Sequence, residues 1–184
     1  MASRRSLLAA PLFLPAAALA QPRWPERPVR VIVPFNAGGL IDVTARLITE
    51  PLGAELGQTF VVENLGGAGT TIGARQVARA TPDGHTIMVT GAAHSVIPAL
   101  FPDAGFDNVA DFAPVSLISE QPFVLCVHPG VPASTLPELL DWLRSRGGDA
   151  TFSTTGIGAA SHLAGELLKS MAGVNFTFVS YRGT

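Results

Sequence analysis

Short, nearly unbroken apolar runs alternate along this chain with helix-periodic stretches. "VRVIVP" (29–34), "TFVVEN" (59–64), "HTIMVT" (85–90), "FVLCVH" (123–128), "ATFSTT" (150–155) and "NFTFVS" (175–180) are rich in β-branched and aromatic residues, and each predicts a strand. Between them, Ile41 to Leu56, Thr70 to Ala80, Thr135 to Arg146 and Ala159 to Met171 carry helical spacing. Strands apolar on both faces need cover on both faces, so the alternation predicts an α/β fold of mostly parallel sheets flanked by helices.

Local punctuation supports these bounds. Thr135-Leu136-Pro137-Glu138 is a capping box with proline among the first helical positions, and it predicts a helix start. Gly173 stops the last helix, and "PDG" at 82–84 turns the chain into a strand. Pro51 conflicts with the pattern: a missing N–H and a clash with the Leu47 carbonyl predict a bend or an end to the first helix there.

The first 20 residues, "MASRRSLLAAPLFLPAAALA", combine a basic start, an apolar stretch and a small-x-small end at Ala18 to Ala20. They predict an export signal cleaved after Ala20, by the general secretory route rather than the twin-arginine one, and hence a periplasmic protein. The stretch carries Pro11 and Pro15 and falls short of the roughly 20 apolar residues a bilayer span needs, so the protein is not expected to be membrane-embedded. No cysteine follows the cleavage site to carry a lipid. Cys126, the one cysteine, sits in "FVLCV" and is expected to be a buried small hydrophobe. Without the signal, 10 basic residues face 14 acidic ones, a balance that argues against a nucleic-acid partner.

In an open parallel sheet, ligands sit beyond the carboxyl ends of the strands, where loops enter helices. Three such junctions are glycine-rich: "PFNAGGLID", "ENLGGAGTTIG" and "STTGIGAASHL". None holds lysine or arginine, so each offers backbone N–H groups and a helix dipole to a small anion. Asp42, in a first helical turn, is expected to shape the site rather than act as a base. Catalytic patterns are weak. "GIGAAS" ends in serine where a dinucleotide fingerprint needs glycine or alanine, and no phosphate-loop Gly-Lys-Ser/Thr occurs. His85, His94, His128 and His162 are scattered, "HLAGE" is a lone His/Glu pair, and no nucleophile elbow is present. Neither a metal, a cofactor nor an enzymatic activity is expected.

Several motifs in order, "PVRVIVPFNAGGLIDVTARLI", "FVVENLGGAGTTIGARQVARATPDGHTIMV", "DFAPVSLI", "VHPGVPASTLPELL" and "SHLAGELLKSMAGV", resemble the extracytoplasmic solute receptors of tripartite tricarboxylate transporters, the Bug family, from about Val29 onward. The resemblance implies a two-lobed periplasmic-binding-protein fold of the type II-like kind, closing on a small carboxylate and delivering it to a permease of one small and one large subunit. A sensory module of the same fold, serving a membrane kinase, is the alternative; an exported hydrolase is a weaker third. By position, the resemblance implicates Phe35, Asn36, Ala37, Gly38, Gly39 and Asp42 in the first loop. Gly69, Thr70, Thr90, Gly91 and His94 follow from the next two, and Thr154, Gly156, Gly158, Ser161 and His162 from the second lobe. Departures from the family pattern, Ala37 for a common proline, Leu65-Gly66 for Arg-Pro, Ile97 for asparagine and Ala159 for serine, predict a less polar pocket. The expected division is a signal at 1–20, a first lobe at 21–115 lacking its returning segment, and part of a second lobe at 116–184, as in a truncated product.

Overall fold

The computed structural model describes residues 23–181; the expected export signal and its cleavage site lie outside them. Two parallel sheets organise the chain. In the first, β1 (Val29–Val33) lies between β2 (Phe60–Asn64) and β3 (Thr86–Met88). The central position goes to the most apolar run: Val29, Val31, Ile32 and Val33 are fully buried. Arg30 is the exception, and its guanidinium reaches Glu63 on β2 through contacts of 2.8 and 2.7 Å.

Helices cover both faces of this sheet. On one, α1 (Leu40–Leu56) sets Ile41, Ala45 and Ile48 against Val31, Val33, Val62 and Val89. On the other, α2 (Thr71–Ala78) and the short α3 (Ile97–Leu100) place Ala74 and Ile97 with Met88, Phe101, Phe106 and Phe112. A side chain at Gly73 would press to within 2.8 Å of Pro34, so glycine lets α2 start close against the end of β1.

The second sheet pairs β4 (Thr151–Thr154) with β5 (Thr177–Ser180), again parallel, beside α4 (Leu136–Ser145) and α5 (Ala160–Ala172). Its core joins Leu139, Leu143, Ala150, Val174 and Phe176 to a cluster in which Phe152 stacks on Phe176 at 4.9 Å. The capping box forms as expected: Thr135 accepts from the Glu138 N–H at 3.4 Å, and the Glu138 carboxylate accepts from the Thr135 N–H at 3.1 Å. The Ser134 N–H, followed by the Thr135 N–H, donates to the Glu138 carboxylate, and together they hold that carboxyl below the usual carboxylate range.

Three expectations need correction. "FVLCVH" is not a strand, because no described strand lies beside it to complete its ladder, and the stretch is exposed. Cys126 within it is exposed rather than buried. Nor does α1 end at Pro51; it continues to Leu56 and stops at Gly57, which takes a left-handed φ of 69°. Pro51 is exposed, so the missing bond falls on the watered side of the helix. Residues 92–100 form a 3-10 turn followed by α3, both too short to show a helical period in the residues.

Candidate functional site

The first loop, Pro34 to Gly39, joins β1 to α1 and is fastened from below by a buried carboxylate. Asp42, only 2% exposed, accepts the Gly38 N–H at 2.8 Å, the Arg46 Nε–H at 3.0 and 3.1 Å, and the Asn64 amide at 2.9 Å. Asn64 also donates to the Phe35 carbonyl at 3.2 Å, which ties the end of β2 to the loop. The Arg46 bond, then the Gly38 N–H, outweigh the opposing effect of burial and, with Asn64, bring the Asp42 pKa down to about 2. Asp42 is therefore an anion held inside the protein, where it fastens the loop. Gly38, at φ 80°, spends its N–H on this bond and does not offer it outward.

The donors left over belong to the helix start. Among the described helices, α4 carries a side-chain cap, whereas α1, α2 and α5, which begin at the glycine-rich loops, have none. A helix leaves its first N–H groups without intrahelical partners, so Leu40 and Ile41 on α1, and Ala160 and Ser161 on α5, present free donors and a positive dipole end. Arg30 and Arg46, the cations that flank the first loop in sequence, are already paired with Glu63 and Asp42.

Close contacts link the loops into one constellation. A side chain at Gly66 would meet the Asn36 side chain at 3.1 Å, and one at Gly91 would meet Ile41 at 3.2 Å. At Gly69 it would collide with the ring of Phe101, and at Gly158 it would reach Leu100 at 3.0 Å and Val96 at 3.8 Å. The loop after β4 thus packs against α3 of the first sheet. The second loop is also strained: Ala68, Gly69 and Thr70 take φ of 45°, 61° and 78° in succession, a left-handed run that costs non-glycine residues about 1–2 kcal/mol each.

The expected site residues fall into two groups. Asn36, Ala37, Gly69, Gly91 and Gly156 lie at or near the surface of these loops, while Gly39 and Gly158 are buried within them. The polar atoms Thr70 Oγ1, Thr90 Oγ1 and His94 Nδ1 are buried without a hydrogen-bond partner among the described residues. Burial also lowers the His94 pKa, so its ring is neutral where it meets Phe112 edge-on at 4.8 Å. In the loop after β4, Ser161 Oγ lies 3.0 Å from Thr154 Oγ1 and accepts the Thr155 N–H at 3.2 Å, while His162 Nδ1 accepts the Gly158 N–H at 3.4 Å.

Sequence reasoning missed Arg46, Asn64, Val96, Leu100 and Phe101. Arg46 was signalled by its i+4 spacing from Asp42. Asn64 needed the parallel register that sets it beside Val33. A separate open cleft, about 560 Å³ and lined by Arg46, Glu50, Gly57, Gln58 and Phe60, lies at the far end of α1, away from the glycine loops.

Parallel sheets flanked by helices are the architecture this chain shares with the periplasmic binding protein BugD, on which it superposes with a TM-score of 0.71 at 39% identity, over 88% of this chain and 54% of that one. The chain belongs to the TctC family, described as the tripartite tricarboxylate transporter family receptor, whose model matches residues 44–184. It is 37% identical over 171 residues to a UPF0065 protein of Agrobacterium vitis, covering 93% of this chain and 49% of that protein. An R. palustris protein solved with adipate superposes with a TM-score of 0.79 at 35% identity, over 87% of this chain and 54% of that one. MatC from Rhodopseudomonas palustris, solved with bound malate, superposes with a TM-score of 0.77 at 38% identity, over 87% and 55%. The chain spans about half the length of the curated relatives it matches. The resemblance read from its motifs to the receptors of tripartite tricarboxylate transporters holds.

Proposed function

We propose that the protein captures a small carboxylate in the periplasm and hands it to a tripartite tricarboxylate-type permease with one small and one large subunit, performing no chemistry on it. The observation that carries this is the contrast in capping: α4 closes its own N-terminus with side chains, while α1 and α5 leave theirs open at the glycine loops. Uncapped helix starts favour anions, and loops without a spare cation favour a ligand held by backbone donors and water. The adipate and malate in the two structural relatives are both dicarboxylates, which supports the same ligand class here. Residues 21–115 then act as the first lobe and 116–184 as part of the second, with Phe35 to Gly39 and Gly156 to Ser161 as the two loops around the ligand.

Deleting the gene in its host is expected to abolish uptake of one radiolabelled dicarboxylate; unimpaired uptake of every dicarboxylate offered, with loss of a kinase-dependent transcriptional response, would favour the sensory alternative instead. Export is tested separately. With cleavage after Ala20, mass spectrometry of the periplasmic fraction should find Gln21 at the mature N-terminus, and residues 1–20 still attached there would contradict it.

A further inference from the structure

The loops after β1 and β4 share one construction at a constant offset. Gly38 and Gly158 take φ of 80° and 79°. The next residue in each is an extended N-cap, Gly39 at φ −75° and ψ 166° and Ala159 at φ −63° and ψ 156°. Each N-cap donates back to a carbonyl three residues earlier, Gly39 to Asn36 at 3.4 Å and Ala159 to Gly156 at 3.2 Å. Each then accepts the first helical bond, from Val43 at 2.9 Å and from Leu163 at 3.0 Å. Finally, the positive-φ glycine gives its N–H to a side chain four residues on, Gly38 to Asp42 and Gly158 to His162. The partners stand 120 positions apart throughout (158 against 38, 162 against 42).

We propose that His162 is the positioning residue of the second loop, the counterpart of Asp42: a neutral imidazole whose Nδ1 lone pair holds the Gly158 N–H and so sets the start of α5 for the ligand. The functional consequence rests on the carboxylate-capture reading above; the latch itself does not.

Chemistry makes the two latches unequal. Asp42 is an anion, supported by Arg46 and Asn64, and its bond to Gly38 is 2.8 Å long. A charge-assisted bond of that length is roughly twice as strong as a neutral one. His162 offers a neutral nitrogen at 3.4 Å, with its ring against Phe178 at 4.5 Å. To accept at Nδ1 the neutral ring must carry its proton on Nε2. The first loop is therefore held rigidly, and the second, which packs on Leu100 and Val96 through Gly158, is held loosely enough to adjust.

Hydrogen–deuterium exchange read by mass spectrometry on the 184-residue chain tests this. His162→Ala should speed exchange of the Gly158 amide by about 2- to 10-fold, the range expected for one lost neutral hydrogen bond. His162→Asn, whose Oδ1 can stand where Nδ1 stands, should restore the protection, a rescue that loss of ring volume alone would not show. Equal Gly158 exchange in the wild type and His162→Ala would overturn the proposal. Should that variant misfold, 15N spectra of the wild-type imidazole decide: an unprotonated Nδ1 supports the latch, and a proton on Nδ1 overturns it. If Gly158 responds as expected while neither adipate nor malate binds, the latch stands and the receptor reading falls.

Discussion

Replacing Asp42 by alanine is expected to destabilise the protein by about 3 kcal/mol, the lower end of the cost of breaking a buried charged pair. The lower end applies because the partner, Arg46, is half exposed and can return to water, whereas the Asp42 carboxylate is almost wholly enclosed. The Gly38 N–H and the Asn64 amide would lose their acceptor, and the loop from Phe35 to Gly39 would lose its fastening. Such a loss should lower the midpoint of thermal unfolding by roughly 6–12 °C. Asp42→Asn should cost less, since one oxygen remains to accept from Gly38.

The same carboxylate gives a pH signature. Its folded pKa, about 2, lies below the ordinary 3.8, so folding favours the ionised form. The resulting stability is fully present above pH 3.8 and is lost as pH falls from there through about 2. Thermal scans across that window should show the wild type losing more stability than Asp42→Asn. Parallel acid profiles would mean that Asp42 is not the buried anion described.

A second large effect is expected at Gly69. Its φ of 61° costs an L-residue about 1–2 kcal/mol. A Cβ there would also enter the ring edge of Phe101, and overpacking adds about 1–3 kcal/mol. Gly69→Ala should therefore cost about 2–5 kcal/mol, with both causes acting together. The two causes separate in a double-mutant cycle: in a Phe101→Ala background the ring is gone, and Gly69→Ala should cost only the conformational part, about 1–2 kcal/mol. An unchanged cost in that background would remove the Phe101 contact from the account. Because Gly69 and Phe101 lock the second loop to the first sheet's α3, the variant should also loosen the surroundings of Thr70 and His94.

Much of this was legible in the residues. Periodicity separated strands from helices, and the nearly unbroken apolar runs called for helices on both faces of the sheets. Glycine spacing located the loops. "FVLCVH" misled because strand propensity reports what a segment could pair with, and pairing needs a neighbour that sequence does not supply. The site was legible only as a set of loops. That Asp42 faces inward to Gly38, Arg46 and Asn64, and that Ser161 and His162 serve their own loop, depends on register and on backbone angles such as the left-handed run at 68–70. Polar side chains in a glycine-rich loop read equally well as ligand contacts or as the loop's own fastenings, and the fastenings emerge only from three-dimensional contacts.

In the proposed capture, carboxylates are held by the uncapped starts of α1 and α5. Titrating the 15N-labelled 184-residue chain with adipate or malate, and with the neutral diamide of the same skeleton, measures it amide by amide. The account predicts saturable shifts at Leu40, Ile41, Ala160 and Ser161 with one of the dicarboxylates and none with its diamide. Equal shifts with the diamide, or shifts confined to the cleft of Glu50, Gly57 and Gln58, would contradict it.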